Sequence, residues 1–569
     1  GQYSLIYAAM ATPGFFNASS YPGMIQCFSS VNSGPGYGTS TPPRAPQIIA
    51  VGASTSYHTF ENAYGPDQGF DQIADFSSRG PLTLGYMKPD VLAPGRNNWG
   101  LVPFYGDAFG IPGSSDGTAV YAGTSMACPM VAGVAALLQE AFIVNTGDIA
   151  RPDVVKTLIQ STADPIGMDG FAMGHGVVNA LAAYEYIRDG QGYWFYTMDS
   201  VQNWATATTE AWQYDMNPYD LDNFINTTTP PTDYADANLY FGLVAPGDTV
   251  EMTVEGSFVS GDWTWSAHYF RELETTTFEY NTSIYNETTS TGYDSTKAGY
   301  MLLDTLMEAA NTGSYATFGA STYATIWISG DQATFEDDSM WAFVFDWIDV
   351  DEGSGANGIP DYYNATTGEG DELTRIQYAG GTGNILKIDL SHPDGISNLF
   401  PNQPIISVHD DNIWSWPYTE GTTLDVKVTT WEIATDPNVE INPLGDDANV
   451  TLTAPADLGI HQGWVRADLG NGTIKDLPYS YSVYATYDTE GDVLTLADGA
   501  GAEWTPYEPG IIAAGFDSYY STRSADHHSI VVDMTDATVN YFAARVEWTN
   551  SDPDMDVALV DMIGYEIAH

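Results

Sequence analysis

Gly123-Thr124-Ser125-Met126-Ala127-Cys128-Pro129 opens a run that continues Met130-Val-Ala-Gly-Val-Ala-Ala-Leu-Leu138, small and apolar residues at helical spacing directly after an apolar segment. A turn, a serine and then a helix put a hydroxyl at a helix N-terminus, beside backbone N–H groups that no helical carbonyl reaches. That is a setting for a nucleophile whose target gathers negative charge.

Outward from this run, residues 1–190 alternate short apolar strands with helices across Gly/Pro turns, an α/β pattern. Met24–Ser30 and Ile48–Ala53 read as buried parallel strands. Helices are expected over Ser125–Phe142, over Pro152–Ser161 with Asp153 in its first turn, and over Val177–Arg188 after the Gly174-His175-Gly176 turn.

Beyond Gly190 the period changes to two, with Thr, Tyr, Trp and Val alternating as in Asp248–Phe258 and Thr422–Trp431, which predicts sandwich or jelly-roll sheets. Tyr300–Ala310 is the exception, since Leu302, Leu303, Leu306 and Met307 fall at helical spacing. Boundaries are placed near 190, 375 and 485, dividing the chain into an α/β part (1–190), a β-rich part with a helix (191–375), a β-sandwich (376–485) and a last β part (486–569). The tryptophans Trp341, Trp347, Trp414, Trp416, Trp431 and Trp464 read as sandwich core.

The 569 residues carry 16 Lys+Arg against 74 Asp+Glu, a formal charge of -58, which repels nucleic acid and anionic membranes. With 43% hydrophobic residues the chain is too apolar for acidic disorder, so the carboxylates form a solvated coat over folded cores. High salt, divalent cations or acid would each tolerate such a coat. Two cysteines, Cys27 and Cys128, do not make a disulfide scaffold and read as buried free thiols. Asn-x-Ser/Thr sequons stand at Asn17, Asn226, Asn281, Asn286, Asn364, Asn449 and Asn471. No unbroken 18-residue apolar run appears, so no membrane span is expected, and a start at Gly1 without Met or signal peptide reads as a processed product or fragment.

The run Gly123–Leu138 closely resembles the nucleophile motif of the subtilisin-like (subtilase) family. Four further pieces match that family in order: Ser29-Ser30-Val31-Asn32-Ser33-Gly34-Pro35-Gly36, Ile49–Ala53, Asp75–Pro81 with Lys88–Gly95, and Gly174–Ala180. The resemblance implies a subtilisin-like α/β fold over about 24–188, with Ser125 as nucleophile and Asn32 as side-chain donor to the oxyanion. It implies a serine endopeptidase acting by acyl-enzyme chemistry on protein or peptide substrates, secreted or held at the cell surface.

In that family the orienting aspartate and the histidine base precede the oxyanion asparagine, and the residues before Asn32 contain neither. The expected source is a companion segment or chain carrying Asp and His. The alternative is a catalytically inactive structural subunit of a surface layer or extracellular filament. His58 and His175 occupy no base position and read as structural. Val31 stands where the family commonly has glycine, and Met130 where it commonly has histidine.

In the extension, Asp349, Asp351, Asn357 and Asp361 sit on a Gly-rich loop as hard oxygen ligands, with Asp371 and Glu372 nearby, and predict a structural calcium site. Val450–Val483 resembles the β-sandwich modules that follow the peptidase in large subtilases, and Val546–Asp561 the start of a small C-terminal β domain.

Overall fold

The computed structural model describes residues 2–15, 21–55, 73–101, 118–199, 234–281, 299–302, 323–330, 339–347, 373–391, 403–410, 423–484, 559–560 and 566–568, less short stretches within them. Its first part is α/β and the remainder is built of sheets. Helix α1 (Gln2–Ala11) precedes the parallel strands β1 (Cys27–Ser29), β2 (Ile49–Thr55) and β3 (Val91–Arg96), and a hairpin of β4 (Asn98–Leu101) and β5 (Thr118–Tyr121) leads to the long helix α2 (Thr124–Thr146). Helices α3 (Pro152–Thr162), α4 (Gly170–Met173) and α5 (Ala180–Asp189) complete it.

The central strand β2 is buried along its whole length, as a parallel strand covered on both faces must be. On one face Ile49, Val51 and Ala53 meet Ala127, Val131, Ala135 and Leu138 of α2, with Val155 and Ile159 of α3. Asn179 caps α5 by accepting from Ala182 N–H, and Val177 before it pairs with Leu92 and Asp164, so the helix starts three residues later than its spacing suggested.

The extension follows with β6 (Tyr193–Tyr196), β7 (Leu239–Val244), β8 (Thr249–Phe258) and β9 (Thr264–Asn281), then β10 (Gly299–Leu302), β11 (Tyr323–Gly330), β12 (Ser339–Trp347), β13 (Leu373–Thr382), β14 (Ile385–Ser391) and β15 (Gln403–Asp410). Strands β16 (Thr423–Thr435), β17 (Val439–Leu444), β18 (Asp447–Thr453), β19 (Gly459–Asp468) and β20 (Ile474–Val483) close it, and β21 (Leu559–Val560) pairs with β22 (Glu566–Ala568). A four-stranded sheet, β17-β18-β8-β6, faces the β9-β19-β20-β7 half of a seven-stranded sheet in order β14-β11-β16-β9-β19-β20-β7. Phe195, Met252, Val254, Val450 and Leu452 from the first interleave with Phe241, Val465, Leu477, Tyr479 and Val483 from the second, the expected sandwich.

Two expectations are corrected. Gly299–Leu302 is not helical: Tyr300, Met301 and Leu302 pair antiparallel with Ser407, Ile406 and Ile405 of β15, and that ladder overrides local helical spacing, while 303–310 lie outside the described residues. The boundary near 375 runs through one sheet, because β11 at 323–330 hydrogen-bonds β14 at 385–391 and β16 at 423–435.

The sandwich also covers the second face of the parallel sheet. Leu92 of β3 and Met87, Phe171 and Met173 pack against Phe270, Trp431, Ile460 and Trp464 from β9, β16 and β19. Trp431 and Trp464 are thus core, as read from the sequence.

The outer face of α2 is uncovered among the described residues, with Met130, Leu137, Ile143 and Val144 exposed by 41%, 62%, 47% and 75%. By length and composition α2 is apolar enough to cross a membrane, against the sequence expectation, yet its inner face packs on the sheet as a core helix.

Candidate active site

Ser125 sits in the first turn of α2, exposed, one residue after Thr124. Asn32 lies just past β1, and the two segments meet through Thr124, whose N–H and Oγ1 both donate to Asn32 Oδ1 at 2.8 and 2.9 Å. A backbone N–H can only donate, so the atom facing it is the carboxamide oxygen, and Nδ2 points elsewhere. No protein partner for Nδ2 is found among the described residues.

Gly123, at φ +149°, is a neighbour of Nδ2. A Cβ built there would stand 3.4 Å from Asn32 Nδ2 and 3.7 Å from the Ser125 backbone nitrogen. Asn32 Nδ2 and the Ser125 backbone nitrogen therefore both lie near buried Gly123, close to the serine and at the positive end of a 23-residue helix. Donors placed there suit an oxygen that acquires negative charge.

The framework is held from below. Ser78 N–H donates to Val31 O at 3.1 Å, Ser33 N–H to Ser78 Oγ at 2.8 Å, and Gly34 N–H to Phe76 O at 2.9 Å. The segment around Lys88-Pro-Asp90 anchors β2 in turn: Asp90 Oδ2 accepts from Ala50 N–H at 2.7 Å and from Lys88 Nζ at 2.5 Å.

Around Asp90 lies a fully buried charge cluster that sequence reasoning did not find. Lys156 Nζ is 3.4 Å from Asp90 and 3.1 Å from Asp236, a residue of the extension. Tyr86 OH donates to Asp236 at 2.5 Å, and Asn238 Nδ2 to Asp90 Oδ1 at 3.0 Å. Burial alone would raise the Asp90 carboxyl, but the Lys156 and Lys88 ammonium groups hold it below its usual range. Burial would lower Lys156, and Asp236 first, then Asp90, raises it instead. Lys88, where burial outweighs Asp90, falls to about 8.

His175 belongs to this cluster, its Nε2 3.0 Å from Asn238 Oδ1, and burial pushes its imidazole down to about 4. It is a structural histidine, as its place in the sequence suggested. Among the described residues no histidine bonds the Ser125 hydroxyl, and His58 lies outside them.

Cys27 and Cys128 are unpaired and pack in one core between β1 and α2; burial, and then the neighbouring Cys128, push the Cys27 thiol up to about 12. Met130 is half-exposed on α2. Asp349, Asp351, Asn357, Asp361, Asp371 and Glu372 lie outside the described residues, among which no cluster of three His, Cys, Asp or Glu that would hold a metal is found. Of the sequon asparagines, Asn449 is described within β18, where its amide bonds Glu251 and Thr253, and Asn281 ends β9.

Residues 10–192 match the model of the subtilase family. Pyrolysin of Pyrococcus furiosus is 31% identical over 208 residues, 32% of this chain and 14% of that protein. Serine protease AprX of Bacillus subtilis is 37% identical over 163 residues, 28% of the chain and 34% of that protein. The human membrane-bound transcription factor site-1 protease is 33% identical over 164 residues, 27% of the chain and 13% of that protein. The matches thus span about a third or less of each relative's length, and the family match over 10–192 takes in Asn32 and Ser125.

Proposed function

We propose, on the premise that residues 10–192 are a subtilisin-like segment, that the chain is the nucleophile-bearing part of a serine endopeptidase, extracellular or at the cell surface. Ser125 Oγ attacks the peptide carbonyl, and Asn32 Nδ2 with the Ser125 N–H receives the oxygen as it becomes an oxyanion. Collapse expels the amine and leaves an acyl group on Ser125, which water then removes.

The single observation that supports this most is the meeting of Asn32 with the first turn of α2, where Thr124 N–H and Oγ1 hold Asn32 Oδ1 at 2.8 and 2.9 Å next to Ser125. A histidine oriented by an aspartate, supplied by a companion segment or chain, takes the Ser125 proton and passes it to the departing amine, then takes a proton from the attacking water and returns it to Ser125 as the acid product leaves. The exposed face of α2 is an apolar surface, and the outer edge of β1, unpaired among the described residues, a hydrogen-bonding one, on which such a segment would sit. Calcium at Asp349, Asp351, Asn357 and Asp361, and surface-layer or filament partners for the acidic extension, belong to the same proposal.

The test is hydrolysis of a denatured protein by the natively isolated protein and by its Ser125→Ala variant. The reading expects a drop of about 10⁴-fold or more. Equal rates would leave the chain as an inactive structural subunit.

A further inference from the structure

Val31 is the one non-glycine residue with a positive φ among the described residues, at +76°. For a β-branched side chain that region is a steric outlier, and such outliers persist only where the surroundings over-determine the backbone. The surroundings here do so. Ser30 N–H bonds Val51 O at 2.9 Å, Val31 O accepts from Ser78 N–H at 3.1 Å, and the bonds from Ser33 and Gly34 follow within three residues.

The left-handed step turns the chain out of the β1 direction just before Asn32. Asn32 is exposed, and the bonds found for its side chain are the two from Thr124, at 2.8 and 2.9 Å. Engagement of Asn32 with Thr124 and strain at Val31 are therefore opposite sides of one conformational choice. The bonds from Thr124 thus act together with those around Ser30, Val31, Ser33 and Gly34 to hold Val31 at positive φ, and losing them leaves the strain opposed by fewer restraints.

Glycine at position 31 would make the same turn without steric cost and would not drive the donor away. We propose that Val31 is a positioning residue that makes the Asn32 donor spring-loaded, engaged only while the first turn of α2 presents Thr124 to it. The donor then reports whether the N-terminus of α2 is correctly seated. This rests on reading Asn32 as the oxyanion donor.

The test is hydrogen exchange, followed by mass spectrometry over 121–127 and 28–34, in the natively isolated full chain and in V31A and V31G. Strain predicts protection at Thr124 in the order Gly, Ala, Val from most to least, with about tenfold between the ends. A residue that only packs predicts the reverse order, and that order, or no difference, overturns the proposal. A second readout is serine labelling by a fluorophosphonate: Thr124→Val should slow it several-fold more in the Val31 background than in V31G, and with a peptide substrate V31G should change kcat while leaving KM. Absence of labelling in every variant counts against the proposed function, and the exchange order then decides this inference alone.

Discussion

Asp236, from the extension, lies 3.1 Å from Lys156 of helix α3, and both side chains are fully inaccessible to solvent. Two buried lysines, Lys88 and Lys156, are thereby matched by two buried carboxylates, Asp90 and Asp236, one of them supplied across the chain. Asp236→Asn leaves Lys156 with less than its counter-charge, and a broken buried pair costs about 3–5 kcal/mol. Chemical unfolding should show a loss of that order, while Lys156→Met combined with Asp236→Leu should recover much of it. A neutral Asp236→Asn variant would contradict the assignment.

The same network predicts how stability depends on pH. His175 faces Asn238, with Asp236, Asp90 and Lys156 around it, and burial depresses its imidazole from 6.5 to about 4. The unfolded chain therefore takes up the proton first, so this contribution is full above about 6.5 and drains as pH falls toward 4, by about 3 kcal/mol in all. Urea midpoints at pH 7, 5.5 and 4.5 should fall less steeply for His175→Gln than for the wild type. Parallel curves would mean that His175 does not titrate in this window.

Docking of the sandwich yields a further prediction. Phe270, Trp431, Ile460 and Trp464 close the face of the parallel sheet that carries Leu92 and Phe171. A fragment ending at residue 192, though it contains the whole family match, should expose that face and bind a hydrophobic dye without a cooperative thermal transition. A fragment that melted cooperatively would show that the α/β part folds alone.

At the site itself, Asn32→Leu removes the donor together with the acceptor for Thr124 N–H and Oγ1, and loss of one oxyanion donor costs about 10²–10³ in rate. Gly123→Ala should act more severely, since it would force alanine to a φ of +149° directly before the serine. Turnover of a peptide substrate, with circular dichroism as the fold control, would test both.

What the sequence revealed follows from how local each signal is. The strand at Ile49–Thr55 and the helix begun by Pro152 and Asp153 were legible because burial and capping are written in consecutive residues. The strand at Gly299–Leu302 was misread because its partner, Ile405–Ser407, lies about a hundred residues on, and pairing decided against the local period. Ser125 and Asn32 were legible from motif, whereas Thr124's hold on Asn32 needed two segments 92 residues apart to meet. Asp236 carried no signal at all: its partners, Tyr86 and Lys156, come from separate elements. Val31 stood out as a departure, but its left-handed turn became visible only in the backbone.

A Ser125 nucleophile completed by a base from a companion segment should react with an active-site-directed reagent. Labelling the natively isolated protein with a fluorophosphonate, then mapping the modified peptide, tests it most directly. Modification of Ser125 is expected, abolished by Ser125→Ala and slowed about 10²-fold or more by Asn32→Leu. No modification in native salt and calcium, with a control serine protease labelled alongside, would contradict it.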